Sequence, residues 1–152
     1  MRIYVDCDPG IDDPLALAYV TGRPDVELVG VGSVFGNNDV TTTTGNALRL
    51  LELYGGPEVP VARGAGLPLA QAPRPAKGVH GENGLGEVVL PEPAAAPVDH
   101  SAAEMLVRNA RSAPGEIDVL ALGPLTNLAL ALSIEPHLPG LLRRVDDGRR
   151  RA

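Results

Sequence analysis

Four aspartates lie within eight positions near the start of the chain, in the stretch "VDCDPGIDDPLALAYV" at residues 5 to 20. They are Asp6, Asp8, Asp12 and Asp13. Carboxylates that are ionised and close repel one another, so a cation or several hydrogen-bond donors must offset their charge. The N-terminus of a following helix would accommodate one or two of them as caps. A site for a hard divalent cation such as Ca²⁺ or Mg²⁺, or for a polyol, accounts for all four.

Two other kinds of acidic site fit this stretch less well. An EF-hand loop would contain Pro9 and would have Leu17 in place of its bidentate glutamate. Asp6 and Asp8 have the spacing of a Mg²⁺-dependent phosphatase that uses the first aspartate as nucleophile and the second as acid. The Pro-Gly pair and the two further aspartates do not belong to that pattern, so the phosphatase is the alternative interpretation.

The elements that must position these residues alternate between strand and helix. We predict strands at "RIYVDC", residues 26–34, "VPVARG" and "EIDVLALG", and helices at "DDPLALAYVTG", "VTTTTGNALRLLELYGG", "HSAAEMLVRNARSAPG", "PLTNLALAL" and "LPGLLRRV". The second helix is expected firmly only from about Gly45, because four consecutive threonines are poor helix formers. Ser101 and Glu104 have the spacing of a capping box. This alternation predicts an α/β fold with an open, mostly parallel sheet and helices on both faces.

Three turns follow predicted strands and contain polar residues or glycine, at residues 6–13, 36–38 and 123–127. Ligands bind beyond the carboxyl ends of the strands in open parallel sheets, so we expect these turns to share one face. A fourth segment, residues 65–97, is rich in proline and glycine and has no helical period. A connection of that length is usually either functional or disordered.

Composition narrows the classes of function. The chain has 152 residues, 44% of them apolar, which suffices for one domain with a core. A formal net charge of −6 argues against nucleic acid or an anionic membrane as a partner. No stretch approaches the roughly 20 apolar residues of a membrane span, and no signal-peptide pattern is present. The single cysteine, Cys7, fits a reducing compartment, so we expect a soluble cytoplasmic protein.

The aspartate stretch closely resembles the signature D-x-D-P-G-x-D-D of the inosine–uridine nucleoside hydrolases. The stretches "GSVFGNND", "GVHGENGLG", "ALGPLTNLALAL" and "EPHLP" agree with the family in the same order, so the resemblance covers residues 2 to about 145. It implies a Rossmann-like nucleoside hydrolase fold, bound Ca²⁺, and hydrolysis of the N-glycosidic bond of ribonucleosides to free base and ribose. It also implies a homo-oligomer.

The resemblance implies a calcium site. Asp8 matches the aspartate that binds calcium and acts as base for the attacking water. Asp13 matches a bidentate calcium ligand, and Thr126 matches the residue whose backbone carbonyl belongs to the same shell. Asp6 resembles a supporting residue. This chemistry suits the residue types, because a calcium-bound water is more acidic than bulk water and a carboxylate can take its proton.

The resemblance also implies residues that bind the substrate. Asp12 matches a carboxylate that binds the ribose hydroxyls, and Asn37 matches a polar neighbour in the same pocket. His80 lies in the loop motif, from which it would approach the nucleoside. Taken alone, Asn37 suits a turn and a loop histidine is more often solvated. Beside the aspartate cluster, a role in the site is the better interpretation of Asn37.

The last residues depart from the family pattern. Family members normally continue after a stretch like "LPGLLRRV" with a strand ending in Met-Gly-Gly, and later carry another calcium aspartate and a histidine thought to protonate the leaving base. This chain ends in "DDGRRRA". We expect residues 1–145 to be the N-terminal part of the domain and the chain to be truncated. Residues 146–152 are expected to be an aberrant tail produced by a frameshift. The same residues can also form a charged, disordered terminus, which is compatible with that origin. A non-catalytic metal- or ribose-binding fragment is the alternative to an enzyme.

Overall fold

A sheet of five parallel strands forms the centre of the computed structural model, which describes residues 1–56 and 58–148. The strands are β1 (Arg2–Cys7), β2 (Glu27–Ser33), β3 (Val61–Arg63), β4 (Ile117–Ala121) and β5 (Arg144–Asp147). Their spatial order is β3-β2-β1-β4-β5, so β1 is the central strand, and all neighbouring pairs are parallel. The predicted α/β class with an open parallel sheet is confirmed.

Helices cover both faces of this sheet, as predicted. They are α1 (Asp13–Thr21), α2 (Val40–Leu53), α3 (Lys77–His80), α4 (Ala102–Ser112), α5 (Thr126–Ile134) and α6 (Leu138–Leu141). One core contains Leu17 of α1 and Leu51 of α2, and the other contains Leu106 of α4 and Leu138 of α6. Within the described residues, no helix combines the length and the apolar character that crossing a bilayer requires.

Strand β1 is buried on both sides and sends alternate side chains into the two cores. Val5 and Cys7 pack on the side of α1 and α2, whereas Tyr4 packs on the side of α4. The Tyr4 hydroxyl donates a hydrogen bond to the Ala102 carbonyl over 2.9 Å, which satisfies the polar atom of a fully buried side chain. Asp6 lies on the same side of the strand as Tyr4, so its carboxylate is directed into the interior.

The winding direction of the chain reverses at β1. The chain passes from β1 through α1 to β2 and through α2 to β3, and it then returns through α4 to β4 on the other side of β1. In an open parallel sheet, a crevice forms where two neighbouring strands have connections that run in opposite directions, and here those strands are β1 and β4. The loops after β1 and β4 therefore border a natural site for a ligand.

Helix α2 begins at Val40, so the predicted helix is confirmed and includes the four threonines before Gly45, for which the sequence pattern alone was weak. Asp39 caps the helix by accepting hydrogen bonds from two threonine N–H groups at 3.0 and 3.1 Å. Thr43 is buried, and its hydroxyl donates to the Val34 carbonyl over 2.9 Å. The cap and the satisfied hydroxyls outweigh the low helix propensity of threonine.

Residues 65–97 form the long connection and contain one short helix, α3. Two contacts hold the end of this segment against α2. The Arg49 guanidinium donates to both carboxylate oxygens of Glu92 at 2.7 Å, and the Glu52 carboxylate accepts a hydrogen bond from the Ala95 N–H over 2.9 Å. The end of the segment therefore packs against α2, whereas most of its earlier residues are exposed.

The stretch "LPGLLRRV", predicted as a short helix, divides into two elements. Helix α6 covers only its first half, and residues 144–147 form β5 at the edge of the sheet. β5 pairs in parallel with β4, and Arg143 beside it makes an ion pair with Asp118 of β4. The tail predicted from residue 146 therefore begins inside a strand, and its residues 149–152 lie outside the described residues.

Helix α4 contains the predicted capping box. The Ser101 hydroxyl accepts a hydrogen bond from the Glu104 N–H, and the Glu104 carboxylate accepts one from the Ser101 N–H over 2.8 Å. We expect Ser101→Ala to lower the free energy of unfolding by about 1 kcal/mol, measured by urea denaturation. Ser133→Ala is the control, because its hydroxyl donates only to a carbonyl within α5. An equal loss in both variants would contradict the capping role.

Candidate active site

Three loops converge at the carboxyl ends of β1, β2 and β4, where the sequence predicts that the polar turns meet. They border a cleft of about 300 Å³. Its lining residues are Asp8, Asp12, Asp13, Asn37, His80, Leu122, Gly123 and Pro124. Five of these, the three aspartates with the asparagine and the histidine, are site residues predicted from the sequence. The cleft occupies the crevice where the winding direction of the sheet reverses.

Asp8 lies between two glycines at the base of the cleft. A Cβ at Gly36 would overlap with Asp8 Oδ2, and a Cβ at Gly123 would lie 2.9 Å from Asp8 Oδ1. The Asn37 N–H donates to Oδ2 over 2.7 Å, and the Asn37 side-chain amide donates to the Asp8 carbonyl over 3.0 Å. Burial and the neighbouring charge of Asp13 raise the pKa of Asp8 to about 7. Asp8 can therefore exchange a proton near neutral pH.

Asp12 and Asp13 lie at the start of α1 in different environments. Asp12 is exposed, and its side chain makes no capping hydrogen bond within residues 1–56 and 58–148. Asp13 is 5% exposed, and its Oδ2 accepts a hydrogen bond from the Gly10 N–H over 2.9 Å. Burial raises the pKa of Asp13. Helix capping therefore does not account for Asp12, and Asp13 is bonded to the turn that precedes the helix.

Asp6 lies beneath the cleft and does not line it. It is fully buried, its Oδ2 accepts a hydrogen bond from the Asn127 amide over 2.9 Å, and its Oδ1 has no partner among the described residues. Burial raises the pKa of Asp6 to about 7. A carboxylate that substrate cannot reach cannot attack it, so the phosphatase alternative lacks its nucleophile. The position of Asp6 fits a supporting role.

Asn127 supports the site through its side chain, although it is not among the site residues predicted from the sequence. Its Nδ2 donates to Asp6 and to the Ser33 carbonyl, both over 2.9 Å. Its Oδ1 accepts a hydrogen bond from the Ala65 N–H over 2.8 Å. One side chain of α5 thereby joins β1, β2 and the segment after β3. The available signal was an amide at the start of a helix that is otherwise almost entirely apolar.

His80 approaches the aspartate turn from the long connection. Its Nδ1 accepts a hydrogen bond from the Ile11 N–H over 3.0 Å, so the neutral imidazole carries its proton on Nε2. Gly10 permits this approach, because a Cβ there would collide with both the imidazole and the Asn37 amide. The loop that carries His80 therefore forms one wall of the cleft.

Thr126 lies beside the cleft and not in its lining. It is the first residue of α5 and is 8% exposed. It borders a neighbouring pocket of about 480 Å³, which shares Asn37 and Pro124 with the cleft. Its role as a calcium ligand through the backbone carbonyl stays a prediction.

The donor set of the cleft suits a hard cation. Asp8 and Asp13 offer carboxylate oxygens, and the charge of Asp13 acts on Asp8 strongly enough to raise its pKa. The cleft lining contains no lysine or arginine that would neutralise them. Within the described residues, no group of three or more His, Cys, Asp or Glu side chains has metal-binding geometry. The ligands that the described residues offer in the cleft are therefore the two buried carboxylates of Asp8 and Asp13.

The buried Asp6 predicts a pH dependence of stability. Its pKa of about 7 exceeds the ordinary value of 3.8, so the folded state holds the proton more tightly than the unfolded state does. The stability that this group contributes is fully present below about pH 4 and is lost as the pH rises to about 7. We expect Asp6→Asn to reduce that loss by up to about 4 kcal/mol, because it removes the buried charge.

Urea unfolding in calcium-free buffer across this pH range measures the effect. Asparagine keeps an oxygen that can accept the hydrogen bond from Asn127. Asp99→Asn is the control, because Asp99 is exposed and does not line the cleft. The same pH dependence in Asp6→Asn and in the unaltered chain would show that the carboxyl of Asp6 does not titrate as described.

Comparison with known proteins identifies the relatives of this chain. A family model described as inosine-uridine preferring nucleoside hydrolase matches residues 3–145. The chain is 43% identical over 145 residues to probable uridine nucleosidase 1 of Oryza sativa subsp. japonica, a match that covers 95% of this chain and 45% of that protein. It is 44% identical over 145 residues to uridine nucleosidase 1 of Arabidopsis thaliana, covering 95% of this chain and 43% of that protein.

A solved structure has the same fold. The purine-preferring ribonucleoside hydrolase from Gardnerella vaginalis superposes with a TM-score of 0.92 at 28% identity, over 97% of this chain and 48% of that chain. This chain therefore spans a little under half the length of the relatives that it matches. Because the family model matches nearly the whole of the described sequence, the chain belongs to the inosine-uridine preferring nucleoside hydrolase family.

Proposed function

We propose that the cleft hydrolyses the N-glycosidic bond of ribonucleosides to give the free base and ribose. The observation that carries this proposal is the environment of Asp8, a buried carboxylate with a pKa near 7 in a cleft with two further aspartates. A base whose pKa lies near the working pH is effective in deprotonating water. Membership of the family and the names of the relatives support this class of reaction.

Calcium is the proposed cofactor. Asp8, Asp13 and the backbone carbonyl of Thr126 would hold it, since oxygen atoms are the ligands that a hard cation prefers. Bound calcium would supply positive charge that makes a nearby water molecule easier to deprotonate. The glycines at positions 36 and 123 support this assignment, because a side chain at either one would crowd the Asp8 carboxylate.

In the proposed reaction, Asp8 takes a proton from the water molecule that attacks the anomeric carbon of the ribose. The bond from that carbon to the base nitrogen breaks, and its electron pair leaves with the base, which takes up a proton. The negative charge of the cleft would stabilise the positive charge that develops on the sugar. Asp12 and Asn37 would bind the ribose hydroxyls, and His80 would face the nucleoside from the long connection.

The proposal names ribonucleosides as a class and assigns no preference for the base. Relatives named for uridine and a solved relative named for purine ribonucleosides both match this part of the chain. The cleft residues with proposed roles, apart from His80, act on the water, the cation or the sugar. A test of the proposal should therefore include a pyrimidine and a purine ribonucleoside.

A second candidate is a chain that binds calcium or ribose without catalysing hydrolysis. One observation favours it: within the described residues, no group of three or more His, Cys, Asp or Glu side chains is arranged to hold a metal ion, although Asp8 and Asp13 are both buried. Such a site would bind a cation and a sugar and would still lack further groups that the reaction needs. Turnover separates this candidate from the first.

Calcium binding should weaken as the pH falls. Because the pKa of Asp8 is about 7, its carboxyl is mostly protonated at about pH 6 and must release the proton before it binds the cation. We expect the affinity measured by calorimetry to be about tenfold lower at about pH 6 than at about pH 8. Titrations in two buffers of different ionisation enthalpy will reveal the released proton, and binding without proton release would contradict this account.

The release of base and ribose from uridine and inosine tests the proposed reaction directly. We expect turnover that requires calcium and falls by at least about a hundredfold in Asp8→Asn, because the general base is lost. Asp99→Asn, an exposed aspartate outside the cleft, is the matched control. Calcium binding without turnover would favour the second candidate. A folded chain that binds neither calcium nor ribonucleoside would contradict both.

A further inference from the structure

His80 depends on contacts outside its own helix for its position. Helix α3 has four residues, none of them buried, and a helix this short is unstable in water by itself. No backbone-to-backbone hydrogen bond within the described ranges joins the aspartate turn, residues 8–13, to loop residues 77–90. Side chains must therefore fix this loop to the turn.

Two buried asparagine amides provide contacts to the loop. Asn46 of α2 is 3% exposed, and its Nδ2 donates to the Asn83 carbonyl over 2.9 Å and reaches the Pro9 carbonyl over 3.5 Å. The Asn38 Nδ2 donates to the Glu82 carbonyl over 2.7 Å. Asn46 thus contacts both the loop and the aspartate turn, whereas Asn38 contacts the loop from the turn between β2 and α2.

Gly84 shows how tightly these parts fit together. Its φ is +79°, and a Cβ there would lie 3.0 Å from Asn46 Nδ2 and 3.3 Å from the Pro9 carbonyl oxygen. Asparagine is also a poor residue for the interior of a helix, and its buried amide is costly unless it is hydrogen-bonded. The described hydrogen bonds of the Asn46 amide go to the two loops, and none goes to α2. Its presence is therefore explained by the loops and not by the helix.

We infer that Asn46 is a positioning residue, which holds the loop so that His80 stays against the aspartate turn. In this arrangement the Ile11 N–H donates a hydrogen bond to Nδ1 of His80, so the proton of the neutral imidazole is on Nε2. The inference deepens the proposed function, because it names the residue that sets how His80 would meet a ribonucleoside. The contacts themselves do not depend on that function.

Asn46→Ala tests the inference, because alanine preserves the helix and removes the amide. Asn109→Ala is the matched control: Asn109 lies in α4, on the other side of the sheet, and its amide donates to the Val29 carbonyl over 3.4 Å. We expect the Ile11 amide proton to exchange with solvent about tenfold faster in Asn46→Ala, the factor that one net hydrogen bond supplies. The exchange of the Val5 amide in the core should be the same in both variants.

Nitrogen NMR of the imidazoles gives a second readout, with the His80 signals assigned through His80→Gln. In the unaltered chain at mildly alkaline pH, the two nitrogens should have the separate shifts of the Nε2–H tautomer. In Asn46→Ala the two shifts should approach each other as both tautomers become populated, whereas Asn109→Ala should leave them unchanged. A folded Asn46→Ala with unaltered Ile11 exchange and unaltered His80 shifts would overturn the inference.

Gly84→Ala provides the same test from the loop side if Asn46→Ala does not fold. An alanine at this positive φ is strained and crowds the Asn46 amide, so the same two signals should change. Neither measurement needs a ligand or turnover. If the substitution changes both His80 signals but the unaltered chain binds no ribonucleoside, the positioning role of Asn46 is supported and the proposed function is contradicted. If the His80 signals do not change but the unaltered chain hydrolyses ribonucleosides, the proposed function is supported and the positioning role of Asn46 is contradicted.

Discussion

The structure depends on holding three buried carboxylates, those of Asp6, Asp8 and Asp13, within or just after the central strand. Burial raises the pKa of each, which means that each is held where its charge is unfavourable. Donors from other parts of the chain reduce this cost: the Asn127 amide bonds to Asp6, and the Asn37 N–H bonds to Asp8. These donors follow β4 and β2, the two strands that flank β1. The buried aspartates therefore depend on the strand order, because it places β2 and β4, and the donors that follow them, on either side of β1.

The flanking strands also decide how closely the backbone can approach Asp8. Gly36 follows β2 and Gly123 follows β4, and their α-carbons face the Asp8 carboxylate from two sides. A parallel sheet brings the carboxyl ends of neighbouring strands to one edge, so two glycines that are distant in sequence can confine one carboxylate. A Cβ at either position would crowd the carboxylate oxygens. Precision at the site thus follows directly from the topology of the sheet.

The features that could be predicted from the sequence are those that depend on residues close together along the chain. Alternating strand and helix patterns predicted the sheet, and the rule that ligands bind at carboxyl ends correctly grouped the three polar turns. The sequence placed the start of α2 less firmly than its later turns because the first turn depends on the Asp39 cap, and β5 was missed because it depends on pairing with β4. Asn46 and Asn127 were missed because their amides bond to residues up to 121 positions away. No periodicity in the chain records such a contact.

The donors around the cleft share one property that matters for a cation. The backbone N–H groups of Gly10 and Asn37 and the amide of Asn127 are neutral, so they stabilise the carboxylates without cancelling their charge. A lysine or arginine in their place would satisfy the same oxygens, but it would also neutralise the site and compete with a divalent ion. Neutral donors leave a net negative field in a partly buried cleft, where charge acts more strongly than in water. Under the proposed function, which places a calcium ion and a developing positive charge in this cleft, neutral amide donors therefore suit the site better than cationic side chains would.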